Sequence, residues 1–161
     1  MLCDKFYSCP DRKKFSCSDQ ESHPSLPSCL RVSGEHHVHV ARRHVLKRTE
    51  LLGMSSLKSH YVATAVCEVA NNLFFHTKQG GVIQFRHIED HGRHGIEIVA
   101  IDDGCGIEDI QQAMADGFST NGGLGGGLGG MQRLMDEFEI ESEPGEGTRI
   151  VMRKWVTEPL I

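Results

Sequence analysis

The sequence has no C-x-x-C pair, no apolar run approaching the roughly 20 residues a membrane helix needs, and no excess of basic side chains. Without paired cysteines, two thiolates cannot reach one tetrahedral ion from a tight turn, which sets aside a zinc ribbon, including one completed by His23 or His36. With no apolar span and no signal-peptide core near the N-terminus, the expected address is cytoplasmic and no membrane partner is expected. Seventeen basic against 22 acidic residues give a net charge of -5, so the footprint of a nucleic-acid binder is missing. Also missing are G-x-x-x-x-G-K-[ST], H-R-D and D-F-G, which excludes a Walker-type loop and a kinase of the eukaryotic pattern. No internal repeat is apparent. What remains is 161 residues, 39% of them apolar, enough for one domain with a core that needs no disulfide staples but too few for two ordinary domains.

Four of the six cysteines, Cys3, Cys9, Cys17 and Cys29, lie in the opening stretch. Residues 1–27 mix Ser, Pro, Lys and Asp without hydrophobic period and read as a disordered extension with reduced thiols, leaving 28–161 as the folded domain. From Cys29 to Val32 a short strand is expected, then a helix from about His37 to Leu52 stopped by Gly53. Ser55 or Ser56 can cap a second helix reaching about Thr77, with Leu57, Tyr61, Thr64, Ala65, Val69, Leu73 and Phe74 as its apolar face. Val82 to Ile88 and Ile96 to Ile101 read as a hairpin around a turn at 91–95, and Ile107 to Met114 as a short helix. A glycine-rich loop from Gly117 to Gly130 leads into a helix through Leu134, and Phe138 to Ser142 pairs with Arg149 to Trp155 around Pro144 to Gly147. This order predicts an α/β two-layer sandwich, an α+β arrangement with helices on one face of a mixed, mainly antiparallel sheet.

Three segments carry chemistry. Phe118 to Gly130 holds seven glycines before a helix, a composition that suits amides closing on phosphate oxygens, although a flexible linker has the same look. The G-x-G-x-x-G spelled by Gly125, Gly127 and Gly130 lacks the βαβ context of a dinucleotide fold. Ile101-Asp-Asp-Gly-Cys-Gly-Ile107 places an acidic pair and two glycines where a strand ends. Asp102 could accept from an exocyclic amine while Gly104 and Gly106 let a flat base approach the backbone, and a plain polar turn is the alternative. Glu68, Asn72 and His76 lie four apart on one helix face, suiting a general base beside a magnesium ligand or, more plainly, a solvated stripe with a structural histidine.

Together Glu68-Val-Ala-Asn-Asn72, Asp102-Asp-Gly-Cys-Gly106, the glycine loop and Gly145-Glu-Gly-Thr148 resemble the GHKL (Bergerat-fold) ATP-binding superfamily in residues and order. Within it, the run from Asp116 to Phe138 looks most like the anti-sigma-factor serine/threonine kinases of the RsbT switch-kinase type. The resemblance covers about Cys29 to Trp155, departs from the pattern at Gly129, and leaves the opening segment unaccounted for. It implies ATP and magnesium as cofactors. Asp102 would contact the adenine amino group, Thr148 would support it through water, Asn72 would hold magnesium, and Glu68 would orient or deprotonate the attacking hydroxyl. Gly104 and Gly106 would flank the base. Ser119, Thr120 and the amides from Gly125, Gly126, Gly127, Leu128 and Gly129 would close over the phosphates as a lid, with His76 and Lys78 as phosphate neighbours. The implied activity is serine/threonine phosphorylation of a STAS-domain antagonist in bacterial partner switching within the stress response, by a monomer or homodimer that also meets a PP2C-type phosphatase or a sigma factor. The alternative is an ATP-binding module that regulates a phosphatase or sigma factor by contact, and Glu68 speaks for catalysis because a pure binder has no need of it. A two-component histidine kinase would need a helical pair with a phospho-acceptor histidine, and gyrase-type or chaperone ATPases would need further domains.

Overall fold

A computed structural model describes residues 28–115 and 127–157. The expected extension at 1–27 and the glycine run from Asp116 to Gly126 therefore lie outside the described residues. Five strands, β1 (Cys29–Val32), β2 (Gly81–Asp90), β3 (Arg93–Asp102), β4 (Glu137–Glu143) and β5 (Gly147–Trp155), form one sheet in the order β1-β2-β3-β5-β4. Every neighbouring pair is antiparallel, so the sheet is not mixed. Helices α1 (His36–Leu51), α2 (Ser56–Phe75), α3 (Ile110–Met114) and α4 (Gly127–Leu134) complete the described elements.

Register organises the inner face into rows, because directly opposed residues of antiparallel strands point to the same side. Phe85, Ile98, Met152 and Phe138 make one row and Ile83, Ala100, Ile150 and Ile140 the next. Against them α2 lays Val62, Val66, Val69 and Leu73, all essentially without exposure, and α1 lays Val38, Ala41 and Val45. Each branched side chain so buried contributes about 1.5–3 kcal/mol. The next row along this face is polar: Gly81, Asp102, Thr148 and Ser142.

Local chemistry accounts for the ends of the elements. After α1, Gly53 takes φ 72°, its N–H reaches the Glu50 carbonyl at 3.0 Å, and the Met54 N–H reaches that of Thr49 at 3.0 Å. That paired closure satisfies two carbonyls at the helix end and requires a left-handed residue there. Ser55 is the N-cap of α2, its Oγ accepting from the Lys58 N–H at 3.4 Å.

Several expectations need correction. Leu57, Tyr61 and Thr64 are exposed, so the buried face of α2 is phased on Val62, Val66 and Val69; an apolar residue near a helix start is not bound to the core. The β2–β3 turn is two residues, His91 and Gly92, both at positive φ (47° and 77°), rather than five, because this turn matches the twist of the flanking strands. The short helix starts at Ile110, not Ile107, since Asp109 is its extended N-cap and accepts from the Gln112 N–H at 2.9 Å. Gly127 to Gly130 are helical rather than loop: Leu128, Met131 and Met135 are buried, and their packing outweighs the roughly 1 kcal/mol that each glycine costs in a helix. Cys29, at the start of β1, is disulfide-bonded, so its own thiol is not reduced.

Candidate active site

The polar row sits where β3 hands over to a glycine-bearing turn, and the fold builds it from the backbone outward. Asp102 ends β3, and its Oδ1 accepts from the Gly104 N–H at 2.9 Å, which turns the chain at once out of the sheet. Burial pushes the Asp102 carboxyl above the usual carboxylate range, with the backbone N–H groups of Gly104 and Thr148 pulling the other way and the neighbouring Asp103 charge adding to the rise. A Cβ on Gly104 would lie 2.9 Å from that Oδ1 and 3.1 Å from the Thr77 methyl, so any side chain there would crowd the carboxylate. Gly106, at φ 70°, runs so close to the Glu143 carbonyl that a Cβ has no room.

The turn is fastened to the β4–β5 hairpin. The Gly145 N–H donates to the Cys105 carbonyl at 2.8 Å, and the Ile107 N–H donates to the Ser142 Oγ at 2.8 Å. Thr148 faces the same side as Asp102, and its hydroxyl lies 2.8 Å from the Ser142 Oγ. Ser142 was not among the residues the sequence singled out. Its signal is one of register, as the residue opposite Thr148, and is visible only once the hairpin is closed.

The C-terminal end of α2 closes the other side of this row. A Cβ on Gly81 would meet the Leu73 side chain at 2.6 Å, and one on Gly104 would come within 3.4 Å of the His76 carbonyl. Asn72, one residue before Leu73, and Glu68, one turn earlier, are both half-buried on that helix. Thus Asp102, Gly104, Gly106 and Thr148 come together beside the C-terminal end of α2 at Leu73, His76 and Thr77. His76 is the exposed C-cap of α2, and Lys78 lies exposed in the connection to β2.

The phosphate lid needs correction at its described end. Gly127, Leu128 and Gly129 are the first turn of α4, with Leu128 and Gly129 buried, so they offer the N-terminal amides of a helix packed beside α2 rather than a loop. Ser119, Thr120, Gly125 and Gly126 lie outside the described residues.

A carboxylate acceptor framed by bare backbone thus lies at the end of β3, beside the helix that bears Glu68 and Asn72. Residues 33–154 match the histidine kinase-like ATPase domain, and the chain belongs to that family. Among its relatives, the serine/threonine-protein kinase RsbT of Bacillus subtilis is 41% identical over 129 residues, covering 80% of this chain and 96% of that kinase. The anti-sigma F factor of Caldanaerobacter subterraneus is 38% identical over 100 residues (59% of this chain and 68% of the relative), and that of Clostridium novyi 35% over 99 (58% and 68%). The chain is thus a serine/threonine kinase of the anti-sigma type on an ATP-binding domain. No described helix is long and apolar enough to cross a membrane.

Proposed function

We propose that this protein transfers the γ-phosphoryl group of magnesium-bound ATP to a serine or threonine of a STAS-domain antagonist, in a partner-switching circuit of the bacterial cytoplasm that also holds a PP2C-type phosphatase or a sigma factor. The observation that carries this reading is the row Asp102–Thr148–Ser142 closing against the C-terminal end of α2 at Leu73 and His76, on the helix that also bears Asn72 and Glu68. The residues suit both ATP and magnesium. Asp102 is a half-buried acceptor for an exocyclic amine, with space beside it that a Cβ at Gly104 would fill. Asn72 offers an amide oxygen of the hard type that magnesium takes, and His76, Lys78 and the first amides of α4 lie on the elements around it.

Magnesium, when bound, would supply charge neutralisation for a loose transition state together with the helix N-terminus, and the work of the chain's own residues is positioning. Asp102 and Thr148 fix the base. Asn72 would hold the metal beside the phosphates. Glu68 accepts the proton of the attacking hydroxyl as its oxygen bonds to phosphorus and the β,γ-bridging oxygen departs with ADP.

The test is incubation of the protein with labelled ATP and STAS-domain proteins encoded beside its gene. Transfer of label to a serine or threonine is expected. Glu68→Gln is expected to keep ATP affinity within about twofold while phosphotransfer falls by about a hundredfold or more, the usual share of a general base. ATP binding with no label on any STAS protein would support contact regulation instead.

A further inference from the structure

Ser142 has the most connected hydroxyl of the polar row. Its Oγ lies 2.8 Å from the Ile107 N–H, 3.0 Å from the Gly147 carbonyl and 2.8 Å from the Thr148 Oγ1. A serine hydroxyl has one proton and two lone pairs. The Ile107 amide can only donate, which takes one lone pair. The Gly147 carbonyl can only accept, which takes the proton. With the Ser142 proton on the Gly147 carbonyl, the contact with Thr148 is an acceptance by Ser142, and the Thr148 proton is committed to it.

Two consequences follow from that count. With three hydrogen-bond partners and its own Cβ, the Ser142 oxygen has no direction left for a ligand. Thr148, having given its proton away, presents only lone pairs to its surroundings. On the other side of the row, Asp102 is an acceptor as well, its Oδ1 already taken by the Gly104 N–H. The place beside these two side chains thus offers acceptors from both.

We propose that Ser142 is a positioning residue for base selection: by fixing Thr148 as an acceptor, it makes the site choose a 6-amino purine over a 6-oxo purine. A 6-amino group donates to such a pair, or to a water whose two protons are both held by the pair, whereas a 6-oxo group meets only lone pairs in either case. The inference rests on the nucleotide site proposed above. It assigns the discrimination to a residue that does not touch the nucleotide.

The experiment is titration of the full chain with ATP and with inosine triphosphate, which carries a 6-oxo group, in wild type, Ser142→Ala, Ser142→Thr and Thr148→Val. Wild type is expected to prefer ATP by about tenfold or more. Ser142→Ala frees the Thr148 proton to meet an oxo group, and the ATP to inosine triphosphate ratio is expected to fall by about tenfold, while Ser142→Thr keeps the ratio. A residue that only braces the 102–107 turn would weaken both nucleotides equally and leave the ratio where it was; that result overturns the proposal. Thr148→Val carries the same question should Ser142→Ala fail to fold: its ratio is expected to collapse, and a wild-type ratio there overturns the proposal too. ATP binding by wild type without preference over inosine triphosphate overturns the base selection alone and leaves the ATP site standing. Binding of neither nucleotide overturns both.

Discussion

At Asp102 the needs of folding and of binding point in opposite directions. Burial disfavours the ionised carboxylate and raises its pKa above the usual range, whereas an amine donor needs the ionised acceptor. Because the folded pKa lies above the unfolded one, the stability this group contributes is full below the unfolded value, about 3.9, and is lost as pH rises through the raised folded value. ATP affinity runs the other way, present above the folded pKa and lost as pH falls through it. Calorimetry of ATP binding against pH is expected to show an acid limb above the usual carboxylate range. Asp102→Asn is expected to remove that limb and, by replacing the charged acceptor, to cost about 2 kcal/mol, roughly thirtyfold in affinity. An unchanged acid limb in the variant would assign the titration to another group.

Among the elements, those whose signal is local were legible before folding. Gly53 and Ser55 mark the end of α1 and the start of α2 because a left-handed glycine and an accepting serine act within one turn of themselves. Alternation in β2, β3 and β5 is equally local, and it carries the apolar rows of the core. The start of α4 was not legible, since four residues of Gly-Leu-Gly-Gly read as loop by propensity and become helix only through burial of Leu128 and Met131. Within the site, the types and order of Glu68, Asn72, Asp102 and Thr148 could be read from the chain. The role of Ser142 could not, because it depends on which residue lies opposite Thr148. The 102–107 turn is the element on which the site leans most. Gly106→Ala would place a methyl group at φ 70° against the Glu143 carbonyl. Thermal unfolding is expected to show a loss of about 1–3 kcal/mol with weaker ATP binding, and a wild-type melting temperature would show the turn to be free to shift.

Taken as a whole, the molecule divides its sheet between two tasks. One face holds the helices, the core and the polar row. The other carries Arg153, whose guanidinium meets Glu97 at 2.8 Å, Glu137 at 3.0 Å and Glu139 at 2.8 Å, tying β3, β5 and β4 together from outside. Among the described residues, no contact of that outer network involves Asp102, Thr148 or Ser142, so the site depends on the inner face and on the strands being in register. Every residue assigned to the site lies at Glu68 or later, and the Phe85 N–H to Ser28 carbonyl bond of 2.8 Å extends the pairing of β1 with β2. The family match spans residues 33–154. A fragment of residues 28–161 is therefore expected to fold by itself and to bind magnesium-ATP within about twofold of the full chain, a difference under about 0.5 kcal/mol. Calorimetry on both, under reducing conditions so that Cys29 is treated alike in each, decides it. A fragment that folds but binds tenfold more weakly would make the first 27 residues part of the nucleotide site, and the boundary of the domain would then move to the N-terminal side of Ser28.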